Sequence, residues 1–248
     1  MNSENAVELR DVEMHFNMSK EKLESLKEYF LKLAKRQLMF EDFVALDHVS
    51  CDIKKGDVFG IVGLNGSGKS TTLKIISGIL QPTKGTVEVN GVIAPLIELG
   101  AGFDMDLTAR ENIYLNGSVL GYSKKFMDSK FDEIVEFSEM QEFLDVPMKN
   151  YSSGMVARIG FAIATVTTPD ILIVDEILAV GDFLFQQKCE ERINRMMNDD
   201  TTVIIVSHSI DQIERLCKHC MWLEKGKVKM IGDTAAVCEA YKHTGAPA

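Results

Sequence analysis

The sequence has 248 residues, a formal net charge of −10 and a hydrophobic fraction of 46%, which suits one globular domain with a sizeable core. The acidic charge argues against a protein whose main role is to bind a nucleic-acid backbone, so we expect no nucleic-acid partner. No apolar run of about 18 residues and no signal-peptide pattern is present, so we expect any membrane role to depend on a partner protein, and the five cysteines to be free thiols in a reducing cytoplasm.

Apolar strands alternate with helical patterns along the chain, which predicts an α/β fold. The strand-like runs are residues 7–10, 58–62, 86–89, 171–174, 203–206 and 221–223. Several of them are wholly apolar, as buried parallel strands are. Short strands before Lys55 and around Asn90-Gly91 predict a small antiparallel β sub-lobe beside the main sheet.

Two stretches depart from this alternation. The first, about residues 18–41, predicts a helix with a basic face and an apolar stripe made by Leu23, Leu26, Phe30 and Leu33. Two interpretations fit it: a helix that lies on a membrane or a membrane partner, and a solvated surface helix. The second stretch, about residues 104–164, has helical periodicity and predicts a separate helical sub-lobe within the single domain of residues 1–248.

Residues 63–70 have the sequence Gly-Leu-Asn-Gly-Ser-Gly-Lys-Ser between an apolar strand and a helical pattern, which is the order of a phosphate-binding P-loop. The glycines let backbone N–H groups curl around an anion, and the start of the helix adds positive potential. Lys69 is predicted to reach the β- and γ-phosphates, and Ser70 to ligate Mg²⁺. The chain is therefore predicted to bind a nucleoside triphosphate through Gly63, Asn65, Gly66, Ser67, Gly68, Lys69, Ser70 and Thr71.

Two further strands are predicted to carry polar residues to the sheet edge at which open α/β sheets bind ligands. The first ends in Asp175-Glu176, so Asp175 is predicted to hold Mg²⁺ through water and Glu176 to direct the attacking water. The second is followed by His208, which is predicted to contact the γ-phosphate and the water. A lone histidine at a strand end is often incidental, but its position after the Asp-Glu strand favours the functional role.

Ser152 and Gly154 precede another helical pattern, at residues 156–167. A serine with a glycine at this position is typical of a helix cap. The same pair also fits a second phosphate site, because it offers a hydroxyl and backbone N–H groups at a positive helix end. The residues alone leave both alternatives open.

Cys217 and Cys220 have the spacing of half a zinc or redox site. The sequence contains no second Cys-x-x-Cys or histidine pair that would complete it. The two cysteines are predicted to lie on a helix before a strand, where ordinary packing is the simpler interpretation.

The order of these motifs resembles the ATP-binding subunit of an ABC transporter: a P-loop, a helical lobe closed by a Ser-Gly signature, a strand ending in Asp-Glu, and then a histidine. The resemblance covers nearly the whole chain and implies a P-loop NTPase (RecA-like) core with ATP and Mg²⁺ as cofactors. In that family two subunits pair head to tail. The resemblance implies that Ser152 and Gly154 contact the γ-phosphate across the dimer and that Asp182 belongs to the loop that couples the two sites. It also implies that Phe16 stacks on adenine.

Departures from the common family pattern narrow the subfamily. The signature is Tyr-Ser-Ser-Gly-Met at residues 151–155, and the usual glutamine of the lobe-linking loop is absent. Glu98 is then the nearest candidate to sense Mg²⁺ and the water. Together with the insertion after Phe16, these features are similar to exporters of lipid-linked polysaccharides such as O-antigen, capsule-type glycans and teichoic acids.

The resemblance implies an ATPase that drives export of a lipid-linked glycan, working as a homodimer with two copies of a membrane permease at the cytoplasmic face of the inner membrane. Two alternatives stay open, an exporter of drugs or lipids and a soluble ABC ATPase outside transport. Because the sequence stops at Ala248, we expect no C-terminal carbohydrate-binding domain. Cargo selection then rests on the membrane subunit, unless the chain is truncated.

Overall fold

The computed structural model describes residues 4–19, 40–96, 99–100, 102–175, 181–198, 200–207 and 209–245. Its strands are β1 Asn5–Ser19, β2 Phe40–Lys54, β3 Val58–Val62, β4 Lys84–Val89, β5 Ile93–Leu96, β6 Ile171–Asp175, β7 Thr202–Val206, β8 His219–Glu224 and β9 Lys227–Asp233. Its helices are α1 Lys69–Ile76, α2 Ala109–Val119, α3 Lys124–Ser138, α4 Ser153–Ala164, α5 Phe183–Asn198, α6 Ile210–Leu216 and α7 Thr234–Gly245, with 3₁₀ helices at Gln141–Phe143 and Met148–Asn150. Among these described helices, none combines the length and the apolar composition needed to cross a membrane.

The strands form two sheets. The main sheet has six strands in the order β5-β6-β7-β3-β8-β9, and its strands are parallel except β9, which runs antiparallel to β8. Every residue of β3 and β7 is buried, as expected for parallel strands covered on both faces. The second sheet is antiparallel, with three strands in the order β2-β1-β4. The predicted α/β class and its small antiparallel sheet are therefore confirmed.

The six predicted strand runs all lie within strands, in β1, β3, β4, β6, β7 and β8. The prediction around Asn90-Gly91 is half wrong, because β4 before this turn joins the antiparallel sheet whereas β5 after it pairs with β6 in the main sheet. Strand β9 was not predicted. Both β5 and β9 are edge strands of the main sheet, and an edge strand does not need the wholly apolar run that marks a central one.

The antiparallel pair β1 and β2 is longer than predicted. The two strands pair from Asn5 opposite Lys54 to Ser19 opposite Phe40, so residues 18, 19, 40 and 41 belong to strands and not to the predicted helix. The amide groups at these ends are paired across the ladder, which overrides the helical pattern of the side chains. The rest of that predicted helix falls on residues 20–39, outside the described part of the chain.

Three groups of buried side chains form the core. One packs the antiparallel sheet and α1 against a face of the main sheet, and includes Leu9, Leu46, Phe59 and Leu73. A second includes residues of the main sheet and of α4 to α7, among them Phe161, Phe185, Trp222 and Val237. The third is made by buried residues between positions 109 and 166, such as Ile113, Met127, Ile134 and Ile159. The helical region thus has an interior of its own.

The cysteine pair lies on two different elements, so the prediction of a shared helix is wrong. Helix α6 ends at Leu216, Cys217 follows it, and Cys220 is inside β8. The chain leaves the helix here because β8 must pair with β3. Both thiols are buried, and burial raises the pKa of Cys217 to about 12. Within the described residues no group of three or more His, Cys, Asp or Glu side chains is placed to hold a metal.

Gly60, in the central strand β3, explains why these thiols lie where they do. A Cβ atom on Gly60 would stand 2.9 Å from Ile213 Cγ2 and 3.2 Å from both Cys217 Sγ and Cys220 Cβ. The absence of a side chain therefore lets α6 and β8 pack directly on the backbone of β3. The cysteines act as small apolar packing residues.

We expect Gly60→Val to lower the free energy of unfolding by about 2 kcal/mol, because overpacking of a filled core forces its neighbours apart. Thermal unfolding should then occur roughly 4–8 °C lower. Gly232→Val in β9 is the matched control, since a Cβ atom there meets no atom within 4 Å. Equal melting temperatures for the two variants would contradict this account of the packing.

Candidate functional site

The predicted phosphate loop connects β3 to α1 at the centre of the main sheet. Helix α1 begins at Lys69, and its N-cap is Gly68, which has a left-handed backbone with φ 106°. A glycine N-cap has no side chain to bond the first amides of the helix. These amides and the positive end of α1 therefore face the loop, in the arrangement that binds an anionic group.

Two glycines of the loop are required by close contact with neighbouring backbone. A Cβ atom on Gly68 would lie 2.6 Å from Leu46 Cδ2 and 2.9 Å from the Ala45 carbonyl oxygen, both on β2. A Cβ atom on Gly63 would overlap the Leu223 carbonyl oxygen at the end of β8. The loop is thus held between an edge of the antiparallel sheet and a strand of the main sheet. Leu46 and Leu223 were not predicted to shape the site.

Lys69 is buried, and its ammonium group lies inside the curl of the loop. The Nζ atom donates hydrogen bonds to the carbonyl oxygens of Gly63 at 2.7 Å and Leu64 at 3.1 Å. Ser67 is also buried, and its amide donates to the Leu64 carbonyl oxygen at 3.1 Å. Lys69 is therefore placed to meet a phosphate held by the loop, whereas the contacts of Ser67 hold the loop in shape from within.

The loop and the end of β6 line one cavity of about 230 Å³. Asp175 is the last residue of β6, and it is brought to the loop because β6 and β7 end at the same sheet edge as β3. Carboxylate and hydroxyl oxygens are the protein ligands that Mg²⁺ prefers, so this donor set fits a magnesium nucleotide. The residues that line the cavity are Asn65, Gly66, Ser67, Gly68, Lys69, Ser70, Thr71, Asp175 and Val206.

Three predicted site residues lie outside the described residues: Glu98, Glu176 and His208. The residues that directly precede Glu176 and His208 are described. Asp175 precedes Glu176 and belongs to the cavity described above. Ser207 precedes His208 at the end of β7, and its hydroxyl donates to Gln212 Oε1 at 2.8 Å.

Ser152 and Gly154 stand at the start of α4, away from the P-loop cavity of the same chain. The Ser152 hydroxyl accepts a hydrogen bond from the Met155 amide at 3.2 Å, so this serine is a helix cap. A Cβ atom on Gly154 would lie 4.0 Å from the Gly181 Cα. The structure therefore brings the Ser-Gly pair next to the segment that contains Asp182.

Asp182 caps the start of α5. Its Oδ1 atom accepts a hydrogen bond from the Phe185 amide at 3.0 Å, and its Oδ2 atom forms an ion pair with Arg158 of α4. The Phe185 amide, with the Arg158 guanidinium, holds the pKa of this carboxyl below its ordinary value. The role of Arg158 was not predicted, because it depends on contacts with residues far away in the sequence.

Phe16, the predicted adenine-stacking residue, lies on β1 opposite Phe43 of β2. It is partly buried and packs against the first core group. Ala45, two residues after Phe43, is part of the β2 segment that touches the phosphate loop. Phe16 is thus one strand away from the segment of β2 that contacts the loop.

His15, next to Phe16, has carboxylate oxygens at both ring nitrogens. Nδ1 is 2.8 Å from Asp42 Oδ2, and Nε2 is 3.0 Å from Glu13 Oε2. Only the imidazolium can donate through both nitrogens. Asp42 and then Glu13 raise the pKa of His15, so the charged form ties β1 to β2 beside Phe16.

Comparison with known proteins gives concordant matches. The family model described as ABC transporter matches residues 46–179. The chain is similar to the O-antigen export system ATP-binding protein RfbB of Klebsiella pneumoniae, with 42% identity over 211 residues that cover 85% of this chain and 86% of that protein. It is also similar to the teichoic acids export ATP-binding protein TagH of Enterococcus faecalis, with 40% identity over 242 residues that cover 98% of this chain. The chain spans about half of the length of that relative, 53%.

Solved structures of low sequence identity show the same fold. One, the ATP-binding subunit of an ABC transporter, matches with a TM-score of 0.73 and 21% identity, over 97% of this chain and 95% of that one. Another, the dimeric bacterial ABC transporter cassette MJ0796, matches with a TM-score of 0.71 and 22% identity, over 92% of this chain and 98% of that one.

We expect Gly68→Ala to weaken ATP binding at least about tenfold more than Gly66→Ala does, a difference of about 1.4 kcal/mol. Both glycines have positive φ, 106° and 76°, so both variants incur left-handed strain. Only the Gly68 side chain would also collide with β2, since a Cβ atom on Gly66 meets nothing within 4 Å. Titration with a fluorescent ATP analogue measures both affinities, and equal losses would show that contact with β2 does not shape the loop.

Proposed function

Because the chain belongs to the ABC transporter family, we propose that it is the ATP-hydrolysing subunit of an exporter that moves a lipid-linked polysaccharide across the cytoplasmic membrane. One observation carries the ATPase part: the phosphate loop, Lys69 and Asp175 meet at a single cavity at the carboxyl edge of the main sheet. The cargo part is supported by the relatives, whose names specify export of O-antigen and of teichoic acids. These cargoes favour a glycan over a drug or a simple lipid.

Each part of the proposed ATP site has a chemical role. The amides at the start of α1 and the Lys69 ammonium hold the phosphates, because both present positive charge to the inside of the loop. Ser70 and Asp175 supply the oxygens for Mg²⁺, which when bound neutralises charge on the phosphates. Glu176, one residue beyond Asp175, directs and deprotonates the attacking water, and His208 contacts the γ-phosphate.

We further propose that a second copy of the chain completes this site. Ser152 and Gly154 lie beside Gly181 and outside the cavity of their own phosphate loop. Their hydroxyl and amides are at the positive end of α4, so they are suited to the γ-phosphate bound by another subunit. ATP then holds the pair together, and loss of the γ-phosphate removes charge-assisted hydrogen bonds from both subunits.

In the complete exporter, two copies of this subunit work with two copies of a membrane permease at the cytoplasmic face. The pair of subunits closes on ATP and reopens after hydrolysis, and this cycle is passed to the permease. Residues 18–41 would stand near the membrane at the end of the β1–β2 ribbon, while Glu98 would sense Mg²⁺ and the water.

A substitution at Ser152 separates the capping role of this serine from a phosphate contact. Aspartate caps helices as well as serine does, but its carboxylate repels a γ-phosphate. We therefore expect Ser152→Asp to keep the melting temperature and to lose ATP-driven pairing, measured by analytical ultracentrifugation with Glu176→Gln in the same chain to slow hydrolysis.

Ser123→Asp is the matched control for this experiment. Ser123 caps α3 in the same way, accepting from the Phe126 amide at 3.2 Å. It should leave both the melting temperature and the pairing unchanged. If Ser152→Asp pairs as well as Ser123→Asp, Ser152 does not contact the nucleotide of another subunit.

The whole proposal is tested by expressing this chain with the membrane-protein gene beside it and purifying through a tag on this chain. We expect a stable complex whose ATP hydrolysis responds to lipid-linked glycan. Glu176→Gln should retain ATP binding while hydrolysis slows on the order of 10²- to 10⁴-fold, because it removes the general base. A chain that purifies alone and is insensitive to glycan would rule out the export role, and normal hydrolysis by Glu176→Gln would rule out the role of Glu176.

A further inference from the structure

Glu139 has a backbone conformation that disfavours glutamate. It follows the last residue of α3 and has φ 60° and ψ 34°, the left-handed region. Helices commonly end in this conformation, but usually with glycine, because a side chain there costs roughly 1 kcal/mol. The contacts of this carboxylate are therefore a candidate reason for a glutamate at such a position.

The Glu139 carboxylate connects three helices. Its Oε2 atom accepts a hydrogen bond from Arg158 Nη1 of α4 at 2.6 Å, and its Oε1 atom accepts from Lys188 Nζ of α5 at 3.1 Å. Glu139 itself ends α3. Lys188 and then Arg158 hold the pKa of this carboxyl below its ordinary value, so it is charged at neutral pH. One carboxylate therefore fixes the positions of two cations on different helices.

Arg158 extends this connection to the Asp182 segment. Its side chain is 13% exposed, its Nη2 atom pairs with Asp182, and its guanidinium lies 4.4 Å from the centre of the Phe185 ring. Gly181 permits this approach, since a Cβ atom there would be 3.3 Å from Arg158 Nε. Arg158 is thus held by Glu139 on one side and holds the Asp182 segment on the other.

The same arginine belongs to the helix that starts with the Ser-Gly pair. Arg158 is four residues after Gly154, so the two lie on one face of α4. On that face, Gly154 lies beside Gly181 while Arg158 pairs with Asp182. The start of α4 and the Asp182 segment therefore form one surface. Glu139 is connected to this surface by its hydrogen bond with Arg158.

We propose that Glu139 is a positioning residue of the composite ATP site: through Arg158 it holds the Ser152–Gly154 start of α4 and the Asp182 segment in the arrangement that a second copy must meet. The inference rests on the proposed pairing of two subunits. Glu139 does not touch the nucleotide in this scheme. Its loss should weaken ATP-driven pairing while the phosphate loop of each single subunit still binds ATP.

The test uses Glu139→Gly, which removes the carboxylate and at the same time provides the residue that the left-handed backbone favours. The melting temperature should therefore be unchanged or higher. Asp200→Gly is the matched control, because Asp200 also has a left-handed backbone, with φ 59°. It follows the C-terminal end of α5, whereas Lys188 is near the start of that helix. Both variants are made in a Glu176→Gln chain. Fluorescent ATP titration at low protein concentration gives the affinity of single subunits, and analytical ultracentrifugation gives the protein concentration at which half of the chains pair with ATP.

For Glu139→Gly we expect unchanged ATP affinity and a half-pairing concentration raised about tenfold. The increase is expected because the charge-assisted hydrogen bonds from Arg158 and Lys188 to the carboxylate are lost. Asp200→Gly should change neither quantity. A half-pairing concentration equal to that of the control would overturn the inference. A loss of single-subunit ATP affinity as large as the loss of pairing would also overturn it, because it would indicate a general defect of the fold. If Glu139→Gly does not fold, Glu139→Gln keeps the side-chain size and is judged by the same two values. If the Glu176→Gln parent does not dimerise in the presence of ATP, the proposal of a composite site is itself contradicted.

Discussion

The phosphate loop keeps its shape because three backbones approach one another more closely than any side chain allows. The Gly226 amide, in the turn after β8, donates to the Ser67 carbonyl oxygen at 2.9 Å, and the Asp47 amide of β2 donates to the Gly226 carbonyl oxygen at 2.9 Å. A Cβ atom on Gly226 would stand 2.7 Å from the Ala45 carbonyl oxygen. The loop is therefore one member of a three-part backbone contact that includes both sheets. Nucleotide binding and the docking of the antiparallel sheet depend on the same hydrogen bonds.

The other half of the proposed site depends on a different part of the core. Ser152 caps helix α4, which contributes Ile159, Ala162 and Ile163 to the third core group. Leu46 and Leu223, which contact the phosphate loop, belong to the first group. The third core group meets the second, which includes residues of the main sheet, around Phe137 of α3, whose ring centre is 5.7 Å from those of Phe161 and Phe185. Lys188 lies over the same Phe137 ring at 4.9 Å, so cations cover the edge of this aromatic contact. Phe137 therefore joins the helical region to the part of the core that covers the main sheet.

The features that could be predicted from the sequence are those that depend on a few neighbouring residues. A glycine-rich turn between an apolar strand and a helix, or a carboxylate at the end of a buried strand, is specified by a few consecutive residues, and the structure places the phosphate loop and Asp175 together as predicted. The edge strand β9 was not predicted because it has no apolar run and alternates between exposed and half-buried residues. The strand after Asn90-Gly91 was predicted, but β5 belongs to the edge of the main sheet and not to the antiparallel sheet.

The contacts of Glu139 could not be predicted for a different reason. Arg158 and Lys188 are 19 and 49 residues away in the sequence, and nothing in a glutamate signals a left-handed backbone. Ser67 was predicted from the motif as a ligand residue, and the structure adds that its amide donates to the Leu64 carbonyl oxygen within the loop. A motif identifies which residues form a site, whereas the packing around them decides which atoms are free to act.

The pairing of Ser19 with Phe40 at the far end of the β1–β2 ribbon has a consequence for how this protein can change. Ser19 and Phe40 are partners across this ladder, so the connection between β1 and β2 starts and ends at neighbouring positions. For a flexible segment joined at such a point, doubling its length costs only about 0.6 kcal/mol of closure entropy. We therefore expect the end of the β1–β2 ribbon to tolerate connecting segments of different lengths, because the paired strand ends can stay in place.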